Sequence, residues 1–131
     1  VLSGLIPNCI SYDPTFASAF DPLNSAFIGK GAAICKYGGA RGKSGSNDAH
    51  PEFLAKLRGI FDDAGVFWQT CDMGKVDQGG GGTIAYMLAA YGMDVVDCGT
   101  AVLSMHSPFE ISSKADTYMT WKAYNTFLIK Y

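Results

Sequence analysis

The stretch Pro51-Glu52-Phe53-Leu54-Ala55-Lys56-Leu57-Arg58-Gly59-Ile60-Phe61-Asp62-Asp63-Ala64-Gly65-Val66-Phe67-Trp68-Gln69-Thr70 decides the fold class. Its first part is a helix by spacing: Phe53, Leu54, Leu57, Ile60 and Phe61 recur every three or four residues and share one face. Asn47 or Asp48 offers a capping side chain, Pro51 and Glu52 suit a first turn, and Gly65 supplies the C-terminal stop. The period then changes. Val66-Phe67-Trp68-Gln69-Thr70 is aromatic and β-branched, the composition of a strand.

The same alternation extends in both directions. Residues 1–30 are loop-rich, punctuated by Pro7, Pro14 and Pro22. Ala32 to Tyr37 reads as a short strand, and Gly38 to Ser46 as a flexible or ligand-facing loop. Beyond Thr70 come four consecutive glycines, Gly79 to Gly82. A short helix follows from Thr83 to Tyr91, closed by Gly92, and then strands over Met93–Val96 and Thr100–Ser104. A last helix runs from about Ser113 to the end, with Tyr118, Met119, Trp121, Ala123, Tyr124, Phe127 and Leu128 as its apolar face. Trp68 and Trp121 read as core. Strands alternating with helices predict an α/β fold, a three-layer αβα arrangement whose sheet is mostly parallel and covered on both faces. No linker or repeat divides residues 1–131, which read as one unit.

Composition narrows the partners. The chain is 48% hydrophobic and 17% charged, enough apolar material for a core. Its net charge is -2 and it has no run of Lys or Arg, which argues against a nucleic-acid or membrane-surface partner. No apolar stretch is long enough to span a membrane. Cys9, Cys35, Cys71 and Cys98 form no C-x-x-C pair and have no histidine at zinc-finger spacing. They read as reduced, buried thiols, consistent with a cytoplasmic setting.

Two features carry possible chemistry. In α/β sheets ligands sit beyond the carboxyl ends of strands. His106 falls just after the Thr100–Ser104 strand, flanked by Ser104, Ser107 and Pro108; a neutral imidazole held there suits a zinc-type ion. Taken alone it is more often a polar loop residue. His50, before Pro51, reads as an exposed helix-start residue. The glycine run fits neither familiar nucleotide pattern. Gly42-Lys43-Ser44 would need a glycine where Tyr37 stands, and Ile84 stands three residues beyond Gly81, where the dinucleotide pattern requires Gly or Ala. Four glycines instead let a substrate backbone approach closely, with Thr83 capping the next helix or touching a ligand.

Five pieces taken together resemble the end of the aspartyl aminopeptidase / aminopeptidase I family of dinuclear zinc exopeptidases. They are Asn24 to Gly31, Arg41 to Asp48, Gly74 to Ala85, Tyr91 to Asp97, and Leu103-Ser104-Met105-His106-Ser107-Pro108-Phe109-Glu110. The resemblance implies a cytosolic metalloaminopeptidase that removes N-terminal residues from peptides. Two divalent metal ions, usually zinc, activate its water, and the chains assemble into a homo-oligomer, a dodecamer. It implies that His106 is a metal ligand, and that Gly80, Gly81, Gly82, Thr83 and Met105 lie near the bound substrate. The family's other ligands and its general base fall upstream of Val1, so no catalytic residue is expected in this chain. The chain is then the C-terminal portion of the catalytic domain, with the remainder of that domain as its partner, and inactive alone. The match fails at one place: a ligand aspartate belongs near Ser3, where Gly4, Leu5 and Pro7 stand. That departure leaves open a non-catalytic assembly or binding domain of the same descent.

Overall fold

A computed structural model of the chain describes residues 2–3, 9–40, 44–75 and 83–131. Its centre is β3 (Ala32–Ala40), which pairs with β5 (Trp68–Asp72) in parallel and with β6 (Val96–Gly99) and β4 (Ser44–Asp48) antiparallel. β1 (Leu2–Ser3) adds in parallel to β6. A second, three-stranded sheet joins β2 (Cys9–Ile10) parallel to β7 (Ala101–Leu103), and β7 antiparallel to β8 (Ile111–Ser112). The architecture is α/β, but the sheets are mixed, not mostly parallel. The stretch read as a loop from Gly38 to Ser46 contributes to both arms of β3–β4. A connection that short can only reverse the chain, whereas a parallel partner needs a crossover of a dozen residues or more.

Strand alternation sorts β3 into two faces. Ala32 and Ile34 face α1 (Pro51–Asp63) and α3 (Lys114–Lys130), in a core with Phe53, Leu57, Phe61, Val96, Ala123 and Phe127. Ala33 and Cys35 face a second cluster with Cys9, Ala26, Cys71 and Ala101. Among the described residues that second face is covered by the β2–β7 sheet and the segment before β3, not by a helical layer as the three-layer expectation had it. α1 starts with Pro51 and Glu52 as expected, but its cap position is His50, without a side-chain capping bond. Gly65 ends it at φ +61. The short helix α2 (Ala85–Ala89) precedes Gly92, at φ +77.

The last helix corrects the sequence reading. Its buried stripe is Asp116, Thr120, Ala123, Thr126 and Phe127, while Tyr118, Trp121 and Leu128 are exposed. Trp68 does pack against the core, partly buried. Ala123 and Phe127 are buried as expected, and hydropathy misses Asp116 and Thr120 because they are buried for their hydrogen bonds. Thr120 pairs with Thr100 through their hydroxyls at 3.0 Å. The Asp116 carboxylate accepts from Gly29 N at 2.6 Å and Gly31 N at 2.8 Å. Gly31 is obligatory at its φ of +88, where an added Cβ would lie 2.1 Å from the Phe67 carbonyl oxygen. Asp116 thus ties the first turn of α3 to the entry of β3 from 85 residues away.

All four cysteines are free and buried. Burial pushes the Cys98 thiol up to about 12.

Two outcomes follow from these contacts. Asp116→Ala leaves two amides without their charged acceptor and should lower unfolding free energy by about 2–4 kcal/mol in urea titrations. Cys98 is neutral in the fold with a raised value, so its stabilising contribution is complete below pH 9.0 and fades as pH climbs toward 12. Thermal unfolding of a Cys98→Ala variant should therefore lose part of the alkaline fall in melting temperature that the parent shows.

Candidate metal-ligand turn

β6 and β7 form one extended segment, Val96 to Leu103, that leaves the main sheet and enters the second across Thr100. α3 holds it in place. Thr120 bonds Thr100, and the Tyr124 hydroxyl donates to the Cys98 carbonyl. Each end of this segment positions a feature singled out in the sequence.

At its start, buried Asp97 accepts the Thr83 hydroxyl at 2.6 Å, and Thr83 Oγ1 accepts from Ala85 N at 3.1 Å. Thr83 thus bonds the first amide of α2, although the cap position of that helix is Ile84, without a side-chain capping bond. Asp97 is a buried strand residue that anchors that turn. Gly80, Gly81 and Gly82 lie outside the described residues.

At its far end the segment runs into the hairpin loop between β7 and β8, which carries His106 and the half-buried Met105. Ser107 N donates to Ser104 O at 3.0 Å, closing a turn with Met105 and His106 in the middle. His106 has φ +69, the left-handed value that the third position of a type II turn requires and that glycine or asparagine usually supplies. Ser104 has φ +56. Placing histidine there costs of order 1–3 kcal/mol, which the surrounding contacts must offset. The Glu110 carboxylate accepts from His106 N at 2.6 Å, and Ser107 Oγ donates to Phe109 O at 2.6 Å. The two serines brace the loop backbone and make no bond to the imidazole. Glu110 was not singled out from the sequence; its signal is only its position four residues after a histidine, across a proline.

The imidazole is exposed, with a side chain suited to a divalent cation. Among the described residues no set of three histidine, cysteine or carboxylate donors gathers around it; the one such set is Cys9, Cys35 and Cys71. His106 is thus a single imidazole presented outward, on a loop whose neighbours Phe109 and Ile111 are also exposed. His50 is exposed and paired with Glu52 at 2.7 Å, as a helix-start residue.

Comparison with known proteins gives this arrangement a context. The model of the family described as aminopeptidase I zinc metalloprotease (M18) matches residues 6–128. A probable M18 family aminopeptidase 1 of Clostridium acetobutylicum is 58% identical over 118 residues, covering 90% of this chain and 25% of that protein. Its counterpart in Thermotoga maritima is 50% identical over 130 residues, covering 99% of this chain and 28% of that protein. The crystal structure of the Clostridium aminopeptidase I superposes with a TM-score of 0.86 at 57% identity, covering 92% of this chain and 26% of that one. The Thermotoga structure gives 0.88 at 50% identity, covering 92% and 27%. The chain spans about a quarter of the length of the curated relatives it matches.

The strain at His106 is directly measurable. In metal-free protein, His106→Gly should leave the urea midpoint unchanged or raise stability by up to about 1 kcal/mol, because glycine adopts the left-handed turn freely. A clear loss of stability would mean that the imidazole contributes to the fold.

Proposed function

The chain belongs to the aminopeptidase I zinc metalloprotease (M18) family, and from that premise we propose that it forms the C-terminal portion of the catalytic domain of a metal-dependent aminopeptidase. The observation that carries the reading is His106. An exposed imidazole occupies a backbone conformation that favours glycine, in a loop braced by Glu110 and Ser107. Strain of this kind is retained where a side chain is needed for function.

In this reading His106 supplies one ligand to a pair of divalent metal ions, zinc in the native protein, whose other ligands come from the remainder of the catalytic domain. Bound zinc in such hydrolases polarises the scissile carbonyl and makes water nucleophilic at neutral pH. The chain's own residues position the partners. Glu110 fixes the His106 backbone, so the imidazole is presented in one direction. Asp97 and Thr83 anchor the chain as it leaves the glycine run. On the family resemblance, Gly80, Gly81, Gly82, Thr83 and Met105 are assigned to contact with the peptide substrate. The water-activating base is absent from this set, so the chain by itself is inactive. The exposed Trp121, Tyr118, Leu128 and Ile129 are surface for the rest of the domain or for a homo-oligomer, a dodecamer by family resemblance. No described helix is long and apolar enough to cross a membrane, and four free thiols agree with a cytoplasmic location.

One observation favours a second reading, a non-catalytic assembly domain: Gly4 and Leu5 follow Ser3 where a ligand aspartate is expected. The full-length protein separates the two. The aminopeptidase reading expects bound zinc and hydrolysis of aminoacyl substrates, with His106→Ala lowering activity by more than about 100-fold, since even indirect partners of metal ligands are worth 10–100-fold. Zinc-loaded, folded protein that cleaves no aminoacyl substrate would establish the assembly reading.

A further inference from the structure

Cys9 of β2, Cys35 of β3 and Cys71 of β5 come from three strands and meet on the face of the main sheet away from α1 and α3. Their sulfurs all lie within 4.8 Å of one another. The Cys35 and Cys71 sulfurs are 3.3 Å apart, on residues that pair directly across β3 and β5. All three are buried, among Ala26, Ala33 and Ala101, with Met73 packed alongside.

A single buried cysteine behaves as a small hydrophobe. Cys98 fits that description: it sits in the helix-facing core, neutral. The trio differs, because each sulfur faces other sulfurs and not only hydrocarbon. Hydrogen bonds from Cys35 and then from Cys9 hold the Cys71 thiol well below its ordinary value despite burial. One of the three sulfurs is therefore prepared to give up its proton.

The spacing suits a metal ion. Metal–sulfur bonds of about 2.3 Å place three sulfurs around one ion roughly 4 Å apart. That lies between the 3.3 Å of the closest pair and the 4.8 Å limit of the set, so sub-ångström adjustments complete the site. The donors also select the ion. Thiolates and thioethers favour monovalent copper or zinc. Zinc prefers four donors and carries two charges; here there are three thiols in an apolar lining.

We propose that Cys9, Cys35 and Cys71 form a binding site for cuprous ion. On binding, each coordinating thiol releases its proton to solvent and binds as thiolate, and copper keeps its oxidation state. The inference is independent of the role given to His106.

The test uses full-length, reduced, zinc-loaded protein under anaerobic conditions, titrated with cuprous ion against a chromogenic cuprous chelator. The expected result is one copper retained per chain, with an all-sulfur coordination shell in X-ray absorption and unchanged zinc content. Folded Cys71→Ala and Cys35→Ala variants should lose that copper, and Cys98→Ala should keep it. Three results would overturn the proposal: surrender of all copper to the chelator, nitrogen or oxygen ligands in the absorption spectrum, or full retention by a folded Cys71→Ala or Cys35→Ala variant. Should both trio variants fail to fold, the competition and the coordination spectrum of the unaltered protein still decide.

Discussion

Everything near the two candidate features depends on how the Val96–Leu103 segment is held as it crosses from one sheet to the other. A strand that changes sheets gives up one set of ladder partners and takes another, and its backbone groups need partners through the change. The Thr100–Thr120 hydroxyl pair and the Tyr124 contact with the Cys98 carbonyl come from α3 and hold the crossing. Cys9 N, bonded to the Thr100 carbonyl at 3.0 Å, holds it from the β2 side. With the crossing fixed, Asp97 reaches Thr83 at one end and the β7–β8 hairpin presents His106 at the other. α3 is in turn fixed by Asp116, whose carboxylate binds two glycine amides at the entry of β3. Helix, central strand and hairpin are thus linked through a few buried polar contacts, with hydrophobic packing filling the space between them.

The elements that were legible in the sequence are those governed by local rules. α1 is the clearest: its apolar spacing, Pro51 near its start and Gly65 at its end all reappear in the fold. The strands around Ala32, Trp68 and Val96 were found with bounds shifted by a few residues, since strand ends are set by partners that lie elsewhere in the chain. Strand direction was not legible. Nothing local distinguishes β6 running against β3 from β6 running alongside it, and the glycine-rich composition of residues 38–46 hid a reversal of the chain. The face of α3 was misjudged for a related reason. Its aromatic residues drew attention, while the residues it buries include an aspartate and threonines whose partners, Gly29, Gly31 and Thr100, lie far away in sequence.

The site was legible in part. His106 stood out through its place after a strand and through a set of motifs resembling a known family. The left-handed turn that holds it was invisible, because Met105-His106 carries no glycine or asparagine to announce such a turn. Glu110 acquires meaning only once its carboxylate is seen against the His106 amide. The cysteines were read one at a time for spacing, and no linear spacing reveals that residues 9, 35 and 71 share one point in space.

The position of β3 bears on how the chain reaches this fold. β3 is the hub of the main sheet, yet its pairings with β5 and β6 join Cys35 to Cys71 and Ile34 to Cys98, residues far apart in the chain. Only the β3–β4 reversal is local. Folding therefore has to close large loops before the central ladder is rewarded, which favours slow, late assembly over early local nucleation. A nascent chain released before Val96 emerges would carry β3 with the Ala33–Cys35 stretch of one edge unpaired, and such edges recruit neighbouring chains. The architecture that presents His106 so firmly thus leaves the unfinished chain dependent on protection during synthesis.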